Sequence, residues 1–167
     1  YNVAIGGECM IGTGTPTGDG NTAVGHQAMK GDAAALTGAN NVAVGKGAGL
    51  VLQGAAHSNT FVGTTSGDVA TTAVENTCLG YNADIQDATA TNQIVIGNNI
   101  TGTADSTVHI GNNSGHYTLA YEGSGNSWTH SSDIRMKQNI EKAELGLDFI
   151  NKLNTVTYNE KPASEYP

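Results

Sequence analysis

The sequence is poor in the residues that usually build the interior of a compact domain. Aromatic residues make up only 5% of its 167 residues, and charged residues only 13%. A globular domain of this length ordinarily needs more large apolar side chains to offset the entropy lost on folding. Low charge also argues against disorder, because disordered chains combine high net charge with low hydrophobicity. With 23 glycines and short Val/Ile runs, the composition favours a narrow, repetitive β-structure.

Basic residues, long apolar runs and patterned cysteines are also scarce. Seven Lys and Arg stand against fifteen Asp and Glu, for a net charge of −8, which disfavours a nucleic-acid partner. No apolar run reaches the roughly 18 residues of a membrane span, so no membrane insertion is expected. Cys9 and Cys78 form neither a CxxC motif nor a metal-ligand spacing, and we expect two buried free thiols. The sequence therefore predicts no metal and no cofactor.

A five-residue motif recurs through the first two thirds of the chain. Its copies are NVAIG (2–6), NTAVG (21–25), NVAVG (41–45), NTFVG (59–63), NTCLG (76–80), QIVIG (93–97) and TVHIG (107–111). Their glycines are Gly6, Gly25, Gly45, Gly63, Gly80, Gly97 and Gly111, separated by 19, 20, 18, 17, 17 and 14 residues. A short strand that ends in a sharp corner needs a residue free to adopt positive φ. The repeat thus predicts stacked β-coils with structural turns at these glycines.

The three middle positions of the motif form columns of different character. The first and third are branched at nearly every copy, as in Val42 and Val44, whereas the second begins small, as in Ala43. Alternate residues of a strand share one face, so the first and third columns point one way and the second the other. We expect the branched columns to face the core. The small column is then expected on the outside, in close contact with a second subunit.

These patterns predict a mainly β fold that is homotrimeric, because one thin coil buries little apolar surface alone. Two architectures fit the spacing, a left-handed β-roll or β-helix in each chain and an intertwined triple β-helix. The predicted organisation is a glycine-rich shaft over 1–113, a β linker over 114–131, and a small α+β segment over 132–167. In that last segment a helix is predicted over 144–154 and a strand over 155–159.

The repeat resembles the head repeats of trimeric autotransporter adhesins and, more closely, the NTAVG repeats of phage tail-fibre proteins, over residues 2–113. The resemblance implies a trimeric, extracellular virion component that attaches to a host receptor, either a glycan or an outer-membrane component, beside other tail proteins. On a threefold axis, one histidine per chain could hold a metal, and His109 is the candidate.

The C-terminal segment carries a second resemblance. SDIRMKQNI (132–140), followed by LGLDFINKLNTVTYN (145–159), resembles the start of the intramolecular chaperone auto-processing domain that closes endosialidases and phage fibres. The resemblance implies that Ser132 is the nucleophile and Lys137 the general base of a Ser-Lys dyad. A serine hydroxyl attacks only when a neighbour removes its proton, and a lysine does this only if burial or charge lowers its pKa. The expected activity is a single self-cleavage, at Ser132–Asp133 or at the bond preceding Ser132.

Two other functions share the repeat. A bacterial trimeric surface adhesin would contain it, but usually ends in a coiled coil and a membrane barrel. The stalk of a glycan depolymerase would also contain it, with the catalytic domain upstream of residue 1.

Overall fold

A computed structural model of the protein describes residues 1–121 and 129–130. The chain divides into two compact units, Tyr1–Ser131 and Ser132–Pro167, and the described residues all belong to the first. They form eleven strands and, within these ranges, no helix. The strands are β1 (Val3–Ile5), β2 (Thr22–Val24), β3 (Val42–Val44), β4 (Thr60–Val62), β5 (Thr77–Leu79), β6 (Ala83–Asp84), β7 (Ile94–Asn98), β8 (Ile100–Thr101), β9 (Thr107–Asn112), β10 (Gly115–Ala120) and β11 (Thr129–His130). The helix and strand predicted within 132–167 lie outside the described residues.

The core of the architecture is a stack of parallel strands, one from each copy of the motif. They lie in the order β1-β2-β3-β4-β5-β7-β9 and make a β-solenoid of about six turns. Their register places equivalent motif positions side by side, as in Val42↔Thr60, Ala43↔Phe61 and Val44↔Val62. All these pairs join successive coils of one chain, so the solenoid alternative is the one adopted. The mainly β, β-helix prediction is confirmed.

The orientation predicted for the columns is wrong. The middle column faces the interior: Ala23, Ala43, Phe61, Cys78, Val95 and His109 are all fully buried. The branched columns face outward, with Leu79 46% exposed and Ile110 39% exposed. The core also contains large side chains from the connecting segments, among them Met29, Leu36 and Leu52, so a mostly small middle column leaves room for them beside the opposite wall.

That opposite wall consists of the residues three positions after the first six motif glycines. They are Cys9, Ala28, Ala48, Ser66, Ala83 and Ile100, all buried, whereas Ser114, which follows Gly111, is exposed. Where the middle column carries a large side chain, glycines make room for it. A Cβ on Gly67 would lie 2.5 Å from the ring of Phe61, a contact that real structures do not tolerate. Phe61 therefore fits into the core because the neighbouring position, Gly67, has no side chain.

Asparagine opens the first five motifs, and four of these asparagines form a buried ladder. Asn21, Asn41, Asn59 and Asn76 are fully buried. Asn59 Nδ2 donates to Asn41 Oδ1 at 2.9 Å and to the Ala73 carbonyl at 2.7 Å. Its Oδ1 accepts from the Nδ2 of Asn76 at 3.1 Å. Each amide thus links its own coil to the coils on both sides, which satisfies polar groups that could not reach water.

Replacing one member of this ladder is expected to destabilise the shaft. Asn59→Ala leaves the Asn76 backbone N–H and the Ala73 carbonyl without the partner that the Asn59 side chain supplies, and we expect a loss of about 2–3 kcal/mol of unfolding free energy. Chemical denaturation monitored by circular dichroism measures this loss. Asn98→Ala, at an exposed asparagine, serves as control and should change stability by less than about 0.5 kcal/mol. Equal losses in the two variants would show that the ladder is not what the coils depend on.

The motif glycines turn the chain out of each strand. All seven have φ between +130° and +150°, a conformation that residues with a Cβ avoid. Space excludes a side chain as well, because a Cβ on Gly63 would lie 2.1 Å from the carbonyl oxygen of Gly80 in the next coil. The glycine is therefore required both by its dihedral angle and by the close stacking of backbones.

At its C-terminal end the sheet changes direction. β10 pairs antiparallel with β9, placing Tyr117 beside Ile110 and Leu119 beside Val108, and β11 pairs antiparallel with β10. Beyond β10, the Tyr121 hydroxyl donates to the carbonyl of Asn92. A return strand replaces the next coil, so the solenoid ends here. In the part of the chain that the structure describes, no helix is both long and apolar enough to cross a bilayer.

Candidate functional site

The outward columns of the stacked strands form one continuous surface, which we call the apolar face. It comprises Val3, Ile5, Thr22, Val24, Val42, Val44, Thr60, Val62, Thr77, Leu79, Ile94, Ile96, Val108, Ile110, Tyr117 and Leu119. None of these residues is charged, and apart from three threonines and one tyrosine they are aliphatic. The face therefore lacks the polar groups that would normally meet water on a sheet surface.

The apolar face is regular and continuous along the solenoid. Eight strands at about 4.8 Å spacing give a strip roughly 34 Å long, and two columns of side chains give an area on the order of 300–400 Å². This is the size of the largest apolar patch on a typical monomer, and such a patch is often functional. Tyr117 at 50% exposure and Leu79 at 46% show that its large side chains project from the surface.

β10 contributes to this face although it lies outside the repeat. Its pairing with β9 directs Tyr117 and Leu119 to the same side as Ile110 and Val108. The sequence predicts a β linker over 114–131, but not that its strand continues the face of the repeat. The alternation of Tyr117 and Leu119 with Thr118 was the available signal, since it is typical of a half-buried strand.

His109 does not lie on the surface that would face an axis. It is fully buried within its own coil, where the Thr103 backbone N–H donates to Nε2 at 3.3 Å. Nδ1 lies 3.2 Å from the Thr118 hydroxyl. Burial first, and then the nearby His116, lowers the pKa of His109. The axial metal hypothesis for His109 is therefore wrong, and no cluster of three or more candidate ligands occurs among the described residues.

Both cysteines are free and buried, as the sequence predicted. Cys9 Sγ lies within hydrogen-bonding distance of the Ile5 carbonyl, at 3.4 Å. Burial raises the pKa of the Cys78 thiol, and the nearby Asp84 raises it further. Since the thiolate is the reactive form, Cys78 is a packing residue of the core.

The predicted dyad and cleavage residues, Ser132, Lys137 and Asp133, lie outside the described residues, so their roles stay predictions. The seven predicted turn glycines do lie in the described part; five directly follow a stacked strand, whereas Gly97 and Gly111 lie near the ends of β7 and β9. The described residues thus form a solenoid with an exposed apolar face.

Comparison with known proteins adds one finding, at the C-terminal end. No curated protein and no solved structure matches the chain. Residues 132–166 match the model of the family described as "Chaperone of endosialidase", which covers roughly a fifth of the sequence. The chain therefore joins a β-solenoid to a C-terminal segment that is similar to the endosialidase type of intramolecular chaperone.

Proposed function

We propose that this chain is a shaft segment of a homotrimeric phage tail fibre or spike that serves host attachment. Its C-terminal chaperone directs trimer folding and then releases itself through Ser132 and Lys137. The observation that carries the proposal is the uncharged apolar face running the length of a solenoid that is joined to a segment of chaperone type. The fibre is a virion component outside the cell, and its partners are a host receptor and other tail proteins.

The apolar face supports association between copies of the chain. Each copy carries a net charge of −8, so charged surfaces repel one another and only an uncharged surface allows close approach. β-Branched side chains on a regular strip pack well against an identical strip. Association in parallel about an axis along the solenoid covers the whole face at once and gives closed symmetry. The number three rests on the resemblance of the repeat to trimeric fibres.

Parallel association also explains why a chaperone stands at the C-terminus. It brings three chaperone segments to one end, where they fix the register of three otherwise repetitive chains. Register is weakly specified when similar coils repeat, and non-local strand pairing is slow. Cleavage after assembly removes the element that started folding. The mature fibre then cannot unfold by the reverse route, which gives it kinetic stability.

Substituting a residue of the apolar face tests the association directly. Val44→Lys introduces three like charges near the axis of the proposed trimer, and desolvating unpaired charges is unfavourable. We expect association to weaken by at least about 100-fold, which is 2.7 kcal/mol or more. Sedimentation velocity over a concentration series should show a trimer for the unmodified chain and monomers for the variant.

Val69→Lys is the matched control. Val69 is 40% exposed, close to the 37% of Val44, but it lies outside the apolar face. We expect this variant to remain a trimer. An unmodified chain that stays monomeric at high concentration would overturn the proposed assembly. So would trimers of equal stability in both variants.

A further inference from the structure

Two carboxyl groups meet inside the shaft, between successive coils. Asp84 lies in β6 and is only 6% exposed. One of its oxygens, Oδ1, has no hydrogen-bond partner. Asp68 follows β4 in the preceding coil, where the backbone N–H of the adjacent Gly67 donates to the Ala83 carbonyl at 3.0 Å. Asp68 and Asp84 therefore occupy neighbouring positions in successive coils, and the Asp68 carboxyl acts on Asp84. Two carboxylates cannot hydrogen-bond to one another unless one carries a proton.

Few other ionisable groups act on this pair. Cys78 of β5 senses the Asp84 charge, and burial keeps that thiol neutral. On the other side of β6, the strand partner of Asp84 is Thr101 of β8, which does not ionise. The backbone N–H groups of Val69 and Asp68 favour the charged form of Asp84, but burial and the Asp68 carboxyl outweigh them. Among the described residues, no lysine, arginine or histidine is a cause of the pKa shift at Asp84, so a proton is the source of positive charge that we consider.

We propose that Asp68 and Asp84 form a buried proton-binding site that joins two coils of the shaft. With one proton bound, the Asp84 carboxyl donates to the Asp68 carboxylate and the coils are linked. When that proton leaves, two negative charges face each other across the coil boundary and the link weakens. The site is a feature of the solenoid itself and does not depend on the proposed host-attachment function.

The pH range follows from the difference between the folded and unfolded states. Burial, and then the hydrogen bond and charge of Asp68, raise the pKa of Asp84 from 3.8 to about 7. A raised acid pKa means that the folded shaft holds its proton more tightly than the unfolded chain. The stabilisation is complete below about pH 3.8 and declines as the pH rises towards 7. Above about pH 7 this stabilisation is lost, and the aspartate pair causes no further change in stability.

Asp84→Asn supplies the test, because asparagine has the shape of the protonated acid and cannot ionise. The melting temperature of the whole chain should be measured from pH 4 to pH 9, for wild type and for the variant. We expect the variant's advantage over wild type to grow between pH 4 and pH 7 and to level off above that. At pH 8 the variant should melt at least about 5 °C higher. Asp32→Asn, at an exposed aspartate, is the control and should follow wild type throughout.

Two outcomes would overturn the proposal. One is a constant difference between Asp84→Asn and wild type across the pH range, because no proton would then be bound differently by the folded state. The other is a rise in the wild-type melting temperature at pH 8 on adding Ca²⁺, reversed by EDTA and missing in Asp84→Asn. That result would assign the pair to a cation instead of a proton. An infrared band of a protonated carboxyl at pH 6, lost in Asp84→Asn, would support the proton directly.

Discussion

Ser132→Ala and Lys137→Ala are each expected to leave the chain at full length when the protein is produced from its complete gene, whereas the unmodified protein is shortened. The physical reason is that a serine hydroxyl is a weak nucleophile without a base to accept its proton, and the base has no target without the serine. Removing either member should slow cleavage by about 10⁴-fold or more. Intact-mass spectrometry measures the product and identifies the bond, with cleavage at Ser132–Asp133 expected.

The neighbouring residues provide matched controls for this experiment. Ser131→Ala removes an adjacent hydroxyl, and Lys142→Ala removes another amine of the same segment. Both variants should be cleaved like the unmodified protein. Self-cleavage is refuted if the unmodified protein also stays at full length. The assignment of the nucleophile fails if Ser131→Ala blocks cleavage and Ser132→Ala does not.

Gly63→Ala is expected to destabilise the shaft strongly, although it adds only one methyl group. The backbone φ of +136° disfavours a side chain, and the new Cβ would lie 2.1 Å from the Gly80 carbonyl oxygen. Backbone cannot move aside as a flexible side chain would, so the coils must separate locally. We expect a loss of about 3–5 kcal/mol of unfolding free energy, measured by chemical denaturation with circular dichroism.

Gly115→Ala tests whether the loss of stability is specific to the corner position or follows from replacing any glycine. Gly115 lies in β10, and an added Cβ meets no atom within 4 Å. This variant should change stability by less than about 1 kcal/mol, and in either direction. If Gly63→Ala is as stable as Gly115→Ala, the close stacking of the glycine corners does not limit which residue can stand there.

The repeat itself predicted most of the fold. The middle residues of the seven motif copies start the seven stacked strands, from Val3–Ile5 to Thr107–Asn112. The asparagines of the amide ladder recur with the same period. These features are local in origin, because a short β-branched strand, a glycine corner and a buried amide recur with each coil. Periodicity therefore specifies them without knowledge of the three-dimensional contacts.

The prediction of which strand face lies in the core was wrong. Alternation shows that Val42 and Val44 share a face opposite Ala43, but it does not show which face is inside. Hydrophobicity pointed to the branched side chains as core, whereas the mostly small column is the buried one. Large side chains from the connecting segments, such as Leu52, fill the rest of the interior, and the motif alone does not show this. The same limit hid the Asp68–Asp84 pair, which depends on the contact of two successive coils.

The candidate catalytic site rests on the sequence alone. Ser132 and Lys137 come from the resemblance of 132–167 to a chaperone family, and the family match over 132–166 agrees with that source. Whether the side chains of Ser132 and Lys137 meet depends on the tertiary structure, because a separation of five residues along the chain does not determine it. The variants of Ser132 and Lys137 are therefore the test of this site.

By itself, the sequence determined the repeating coil, its corners and the change of character at Ser132, because each depends on residues near one another in the chain. Only the tertiary structure decided that the small column lies inside, that β10 extends the apolar face, and that Asp84 is buried against Asp68. These depend on the distance between opposite walls of a coil and between one coil and the next. That distance is set by packing many residues at once, and no local pattern records it.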